Sequence, residues 1–81
     1  MDKEEIIKTL NRIFIEEFEI DANRISAGAR LKDDLGLESL DFVDIAVIIK
    51  KNFGITIIGK DVASIKTMGN LYDYIQDKQI M

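Results

Sequence analysis

Residues Ser39–Phe53 confine this chain to a narrow set of folds. Leu40, Val43, Ile45, Ala46, Val47, Ile49 and Phe53 recur at helical spacing, yet they cover far more than one stripe of the predicted helix. A helix apolar on so many sides packs against several neighbours, or keeps one face for something outside the domain. An 81-residue chain supplies few neighbours. It reads as a single domain over residues 1–81, burying about 60% of its unfolded surface.

The rest of the chain supplies helices, and no second strand. Ile6, Leu10, Ile13, Phe14 and Phe18 line one face of a helix over residues 3–19, with Glu5, Lys8, Arg12, Glu16 and Glu19 on the other. Asp2, Glu4 and Glu5 lie at its positive end, where acids help. The stretch Asp21–Glu38 is long for a connection in so small a domain. Its apolar residues Ile25, Leu31, Leu35 and Leu37 predict a loop pinned onto the core. Gly54, after Lys50 and Lys51, is a natural stop for the second helix. Ile55–Ile58 has strand character but nothing to pair with, and reads as an apolar crossing. A short helix is expected over Lys60–Ser64. A last helix follows over Met68–Gln76, capped by Thr67 and turning Met68, Leu71, Tyr72 and Ile75 inward. The expected fold is all-α: a small antiparallel bundle of three long helices plus one short helix, with a long loop between the first two long helices.

Composition removes most chemistry. The chain has no cysteine and no histidine, so it holds no disulfide, no thiolate or imidazole metal site and no nucleophile–histidine pair. The longest apolar run, Ile45–Ile49, falls far short of the ~20 residues that span a bilayer. The opening MDKEEIIKTL is acidic from its second residue, unlike a signal peptide, so membrane insertion is not expected and the cytoplasm is. Residues 1–44 carry a charge of −6 and residues 45–81 carry +2, within a total of −4. No segment offers the concentrated basic surface of a nucleic-acid binder. The acidic half favours basic protein partners. DDLGLESLD is not a calcium loop. With Gly36 at the sixth position of such a loop, ligand positions fall on Leu31 and Leu35.

Ser39 stands out because it opens the greasy helix. Its plain role is the helix N-cap. Its neighbours add a second possibility: Leu40, Phe42 and Val43 make an apolar first turn, while Glu38, Asp41 and Asp44 surround the hydroxyl with charge. Nothing nearby can deprotonate it, so it is a poor nucleophile and a good substrate for another enzyme. The acids of this region read as solvated or capping groups, not catalysts, and no enzymatic activity is expected.

Residues Leu31–Ile55, LKDDLGLESLDFVDIAVIIKKNFGI, resemble the signature of the acyl carrier protein family, whose Asp-Ser-Leu motif stands here as Glu38-Ser39-Leu40, followed by Asp41. The resemblance extends over essentially the whole chain, from the first amphipathic helix to Asp73-Tyr74-Ile75. It implies that a phosphopantetheinyl transferase attaches 4′-phosphopantetheine from coenzyme A to Ser39. The arm then carries acyl groups as thioesters between an acyl transferase or ligase, a ketosynthase and related enzymes, with the carrier itself a monomer. A chain without cysteine does thiol chemistry only by importing the thiol. A phosphodiester at a helix N-terminus is favoured by free N–H groups and the helix dipole, whereas the local acids oppose it and suit basic partners instead.

The resemblance also assigns partner recognition to Glu38, Leu40, Asp41, Val43, Asp44, Val47, Lys50 and Lys51. An acyl-chain cavity is assigned to Val43, Ala46, Ile49, Ile57, Val62 and Ile65, which otherwise read as ordinary core. An aminoacyl or peptidyl carrier shares the fold and the serine, and a bundle that is never modified is the competing class. Several positions depart from the family pattern. Lys50 and Lys51 stand where fatty-acid carriers usually keep acids, Phe42 where a small polar residue is common, and Ile58 where proline is frequent. Glu38 is an aspartate lengthened by a methylene. These departures point to a dedicated carrier in a specialised, polyketide- or polyene-like pathway, with the fatty-acid pathway as the alternative.

Overall fold

The computed structural model describes residues 2–80 and is all-helical: α1 (Lys3–Glu17), α2 (Ser39–Phe53), α3 (Gly59–Val62) and α4 (Met68–Ile80), with one turn of 3-10 helix at Ala22–Arg24. The expected bundle of three long helices and one short one is what forms. Ile6, Leu10 and Phe14 of α1, Ile45 and Ile49 of α2, and Met68, Leu71 and Ile75 of α4 meet in one buried cluster. α1 packs on α4, where Lys3 pairs with Asp73 at 2.7 Å and the Tyr72 hydroxyl donates to Asn11.

The helix ends follow local chemistry. Asp2 caps α1 by accepting the Glu5 N–H at 2.9 Å. α1 stops at Glu17, two residues before the expected end, because Glu19 takes a left-handed φ of 54°. That reversal lets Ile20 fold back, its N–H donating to the Phe14 carbonyl and its side chain buried. No glycine marks the turn, so the sequence carries no stop signal there. Thr67 caps α4 as expected: its hydroxyl oxygen accepts the Asn70 N–H at 3.1 Å, and the Asn70 side chain accepts the Lys66 and Thr67 N–H groups in return. α4 runs to Ile80 instead of Gln76, since Asp77, Lys78 and Gln79 contain no breaker and the Lys78 ammonium lies 5.3 Å from the Tyr74 ring centre. α3 spans Gly59–Val62, beginning one residue before and ending two residues before the expected Lys60–Ser64.

The long loop is pinned down, as its leucines predicted. Leu31, Leu35 and Leu37 are all at least nine-tenths buried, and Ile25 packs at the core's edge. Ordering a loop residue costs about 1–2 kcal/mol and burying a leucine returns about 1.5–3, so regular anchoring is required. Backbone bonds supply the remainder. Leu31 N–H donates to the Lys66 carbonyl at 2.9 Å and Met68 N–H to Ala29 at 3.0 Å, around a single antiparallel bridge between Arg30 and Thr67. Ile55–Ile58 crosses the core without pairing as a strand.

Gly69 sits against the same loop. Its N–H donates to the Ala27 carbonyl at 2.8 Å, and a Cβ there would lie 2.9 Å from that backbone oxygen. Gly69→Ala improves helix propensity by up to ~1 kcal/mol but forces the loop off the helix start. The clash should win, with a net loss of about 1–2 kcal/mol in a urea titration. Gly28→Ala, which meets open space, should stay within ~0.5 kcal/mol of the parent.

Candidate functional site

Ser39 is delivered by a tight turn. Between Arg30 and Leu37 the chain coils once and reverses at Gly36, whose φ of 71° suits glycine. Gly36 N–H donates to Lys32 and Leu37 N–H to Leu31, both at 3.0 Å, so Leu37 returns to the core and Glu38-Ser39 emerges at the surface. Glu38, in extended conformation, is the N-cap of α2, and this corrects the plain role first given to Ser39. The Asp41 carboxylate accepts the Glu38 N–H at 2.8 Å, and the Asp41 N–H donates to the Glu38 carbonyl at 2.9 Å. The spacing of Glu38 and Asp41 carries that capping signal. Ser39 is thus the first residue inside the helix, exposed, and its hydroxyl has no hydrogen-bond partner among the described residues.

The serine stands at the edge of a groove of about 460 Å³. Arg30, Leu31, Lys32 and Asp33 of the loop, Phe42 of α2, and Val62, Ala63, Ile65 and Lys66 line it together with Ser39. A second, smaller cavity of about 20 Å³ shares Leu31, Phe42, Val62 and Ile65 with the groove and adds Ile45, Ala46, Ile57 and Leu71. That space holds about one water. Among the side chains expected around a cavity, the structure brings together Ala46, Ile57, Val62 and Ile65. Ile49 is fully buried but lies outside the cavity wall.

Val43 is misplaced by that expectation, being 61% exposed. One helical step of about 100° puts Phe42, Ala46 and Ile45 inward and Val43 on the opposite side. There it joins Leu40 and Val47, which are 78% and 62% exposed, in an apolar stripe along α2. Glu38, Asp44, Lys50 and Lys51 are exposed on the same helix, and Asp41 is half-buried. The acids lie in its first half and the lysines at its end. Leu31, Phe42, Ile45 and Leu71 were not anticipated as cavity wall. The sequence places Leu31 on the core and Phe42 in the apolar first turn of α2, with no sign that either borders a cavity.

The comparisons with known proteins agree with this geometry. The family profile described as "Phosphopantetheine attachment site" matches residues 8–75. The acyl carrier protein of Thermotoga maritima is 34% identical over 76 residues, 94% of each chain. The acyl carrier protein AcpP of Rhizobium meliloti is 33% identical over 75 residues, covering 93% of this chain and 96% of its own. A solved structure of the acyl carrier protein from Enterococcus faecalis superposes with a TM-score of 0.78 at 29% identity, over 93% of this chain and 95% of that one. The chain belongs to the acyl carrier protein family. It is accordingly a carrier and not an enzyme, and its domain is one on which 4′-phosphopantetheine is attached. Carriers of this family are modified by a phosphopantetheinyl transferase and work with acyl-processing enzymes. No helix among the described residues is long and apolar enough to cross a membrane.

One contact at the carrier's cavity had no signal in the sequence. The Tyr74 hydroxyl on α4 donates to the Asp61 carboxylate of α3 at 2.8 Å and accepts the Ile58 N–H at 3.4 Å. Because α3 is one turn long and mostly exposed, this phenol latches the segment bearing Val62 over the cavity. Desolvation pushes the Tyr74 pKa up and the Asp61 hydrogen bond pushes it further, against a lowering by the Ile58 N–H. A raised folded-state value means that the latch is intact below the ordinary tyrosine range of about 10 and is lost as pH rises through the folded value. Tyr74→Phe should speed exchange of the Asp61 and Ile65 amide hydrogens by about 5–10-fold, leaving the Leu10 amide unchanged. The wild type should approach the variant's α3 rates at alkaline pH.

Proposed function

We propose that Ser39 is the residue that carries the arm. The observation behind this reading is an exposed serine, free of internal hydrogen bonds, at the first position of a helix and at the edge of the groove. The residues fit the group. Two of the N–H groups that open α2 are engaged, those of Glu38 and Asp41, while Ser39 and Leu40 lie at the positive end of the helix dipole. On attachment the Ser39 oxygen bonds to phosphorus, the pyrophosphate bond of coenzyme A breaks, and 3′,5′-ADP leaves. The serine proton goes to a base on the transferase, since this chain has no histidine. The arm supplies a terminal thiol for thioester formation, which a chain without cysteine lacks.

The outer face of α2 is the proposed reading surface for partners: Leu40, Val43 and Val47 give apolar contact, Glu38, Asp41 and Asp44 steer basic partners, and Lys50 and Lys51 repel them at the far end. Ala46, Ile57, Val62 and Ile65 are the proposed walls for cargo. The resting cavity is too small for an acyl chain, so shelter requires α3 to move outward. We assign the carrier to a specialised, polyketide- or polyene-like pathway, acting as a monomer in the cytoplasm.

Intact mass after incubation with coenzyme A and a broad transferase tests the site. One phosphopantetheine adduct is expected on the wild type and none on Ser39→Ala. Because Glu38 holds the cap, the variant should remain folded within ~0.5 kcal/mol. A folded wild type that takes no adduct places the chain among unmodified interaction bundles.

The pathway reading rests on the lysines and is tested separately. Holo wild type should turn over faster with a ketosynthase of a specialised pathway than with a housekeeping one. Lys50→Glu/Lys51→Glu should narrow that gap several-fold, and equal turnover for both proteins removes the basis for the assignment.

A further inference from the structure

The groove beside Ser39 has the wrong charge for its neighbourhood. Residues 1–44 carry −6, yet the charged side chains lining the groove are Arg30, Lys32 and Lys66 against Asp33 alone. Arg30 is engaged with acids, 3.5 Å from Asp33 and 3.7 Å from Asp34. Lys32 and Lys66 form no ion pair among the described residues.

These two lysines lie 34 positions apart in the sequence and are brought together by the backbone. The Arg30–Thr67 bridge, with the Leu31 N–H on the Lys66 carbonyl, ties Lys66 to Leu31, the residue before Lys32. Both cations are therefore carried on pinned backbone and line the same groove as the serine. Glu38 and Asp41 are adjacent to that serine and repel any anion attached to it, so a compensating positive field has a definite task.

Resting on the assignment of Ser39, we infer that Lys32 and Lys66 form a cationic cradle for the phosphodiester that joins the arm to the protein. The phosphate is the one anionic group of the arm that is obliged to stay beside residue 39. The pantetheine portion beyond it is uncharged. The cradle offsets the acids at the helix start, which keeps them available to steer basic partners while the arm's attachment point stays anchored.

The test is a cycle of four proteins: wild type and Lys32→Gln/Lys66→Gln, each apo and each converted with coenzyme A and a broad transferase, with conversion verified by intact mass. Attachment should raise the melting temperature of wild type more than that of the variant, by about 2–5 °C, the scale of a partly exposed charge pair in a domain of this size. That difference should shrink between ~0.01 M and ~1 M salt, as the Debye length falls from roughly 30 Å to 3 Å. Lys32→Arg/Lys66→Arg should retain it. Amide shifts between apo and holo wild type should include Lys32 and Lys66 as well as residues 38–41. Equal melting changes in wild type and variant, or shifts confined to the serine and its sequence neighbours, overturn the cradle while leaving Ser39 as the attachment site. Absence of any adduct on folded wild type overturns both.

Discussion

A few main-chain hydrogen bonds between the loop and the approach to α4 hold this carrier's functional geometry in place. Ala29–Leu31 runs against Lys66–Met68 for the length of a single bridge, and Gly69 closes on Ala27 just beyond it. Neither segment belongs to a sheet, so each bond satisfies backbone groups that would otherwise need water beneath a packed loop. The bridge joins the loop at Arg30–Leu31 to Lys66–Thr67, and Arg30, Leu31 and Lys66 all line the groove. It also anchors Leu31, from which the turn at Gly36 throws the chain outward to Glu38 and Ser39. Without it the serine would still open a helix, but beside no defined surface.

α2 divides its labour by angle. Its inner side gives Ile45 and Ile49 to the core, and Phe42 and Ala46 to the walls of groove and cavity. Its outer side leaves Leu40, Val43 and Val47 in water. Such a row of large exposed apolar side chains gives nothing to the fold, and its place on the helix that Ser39 opens fits a surface meant for transient cover. Transferring the cap to Glu38 and Asp41 completes the division, because the hydroxyl of Ser39 is then not needed to stabilise the helix that presents it.

The interior is nearly full at rest, with a void of about 20 Å³ walled in part by α3. A one-turn helix cannot be stable by itself. Its position rests on Val62 and Ile65 below and on Tyr74 reaching Asp61 at its side. An element held by so few contacts is the natural place for the bundle to yield.

Much of the architecture could be read in the residues. Apolar spacing located the three long helices, Thr67 and Gly54 marked two ends, and the missing second strand left no alternative to a helical bundle. Periodicity also named Leu31, Leu35 and Leu37 as anchors. It could not tell which side of a helix apolar nearly all round would face inward, and of the two places the resemblance implies for Val43, cavity and outer face, the structure leaves only the outer face. The left-handed Glu19, the Tyr74–Asp61 latch and the meeting of Lys32 and Lys66 on one groove left no local trace. Each depends on segments far apart in the chain, or on a backbone reversal that no glycine announces. The sequence by itself determined the helices, the serine that opens the second of them and the absence of any thiol, because these follow from side-chain type and near-neighbour spacing. The tertiary structure alone decided which face of α2 is buried, what holds α3 down and which cations of the two halves line one groove with Ser39, because long-range backbone bonds choose those neighbours.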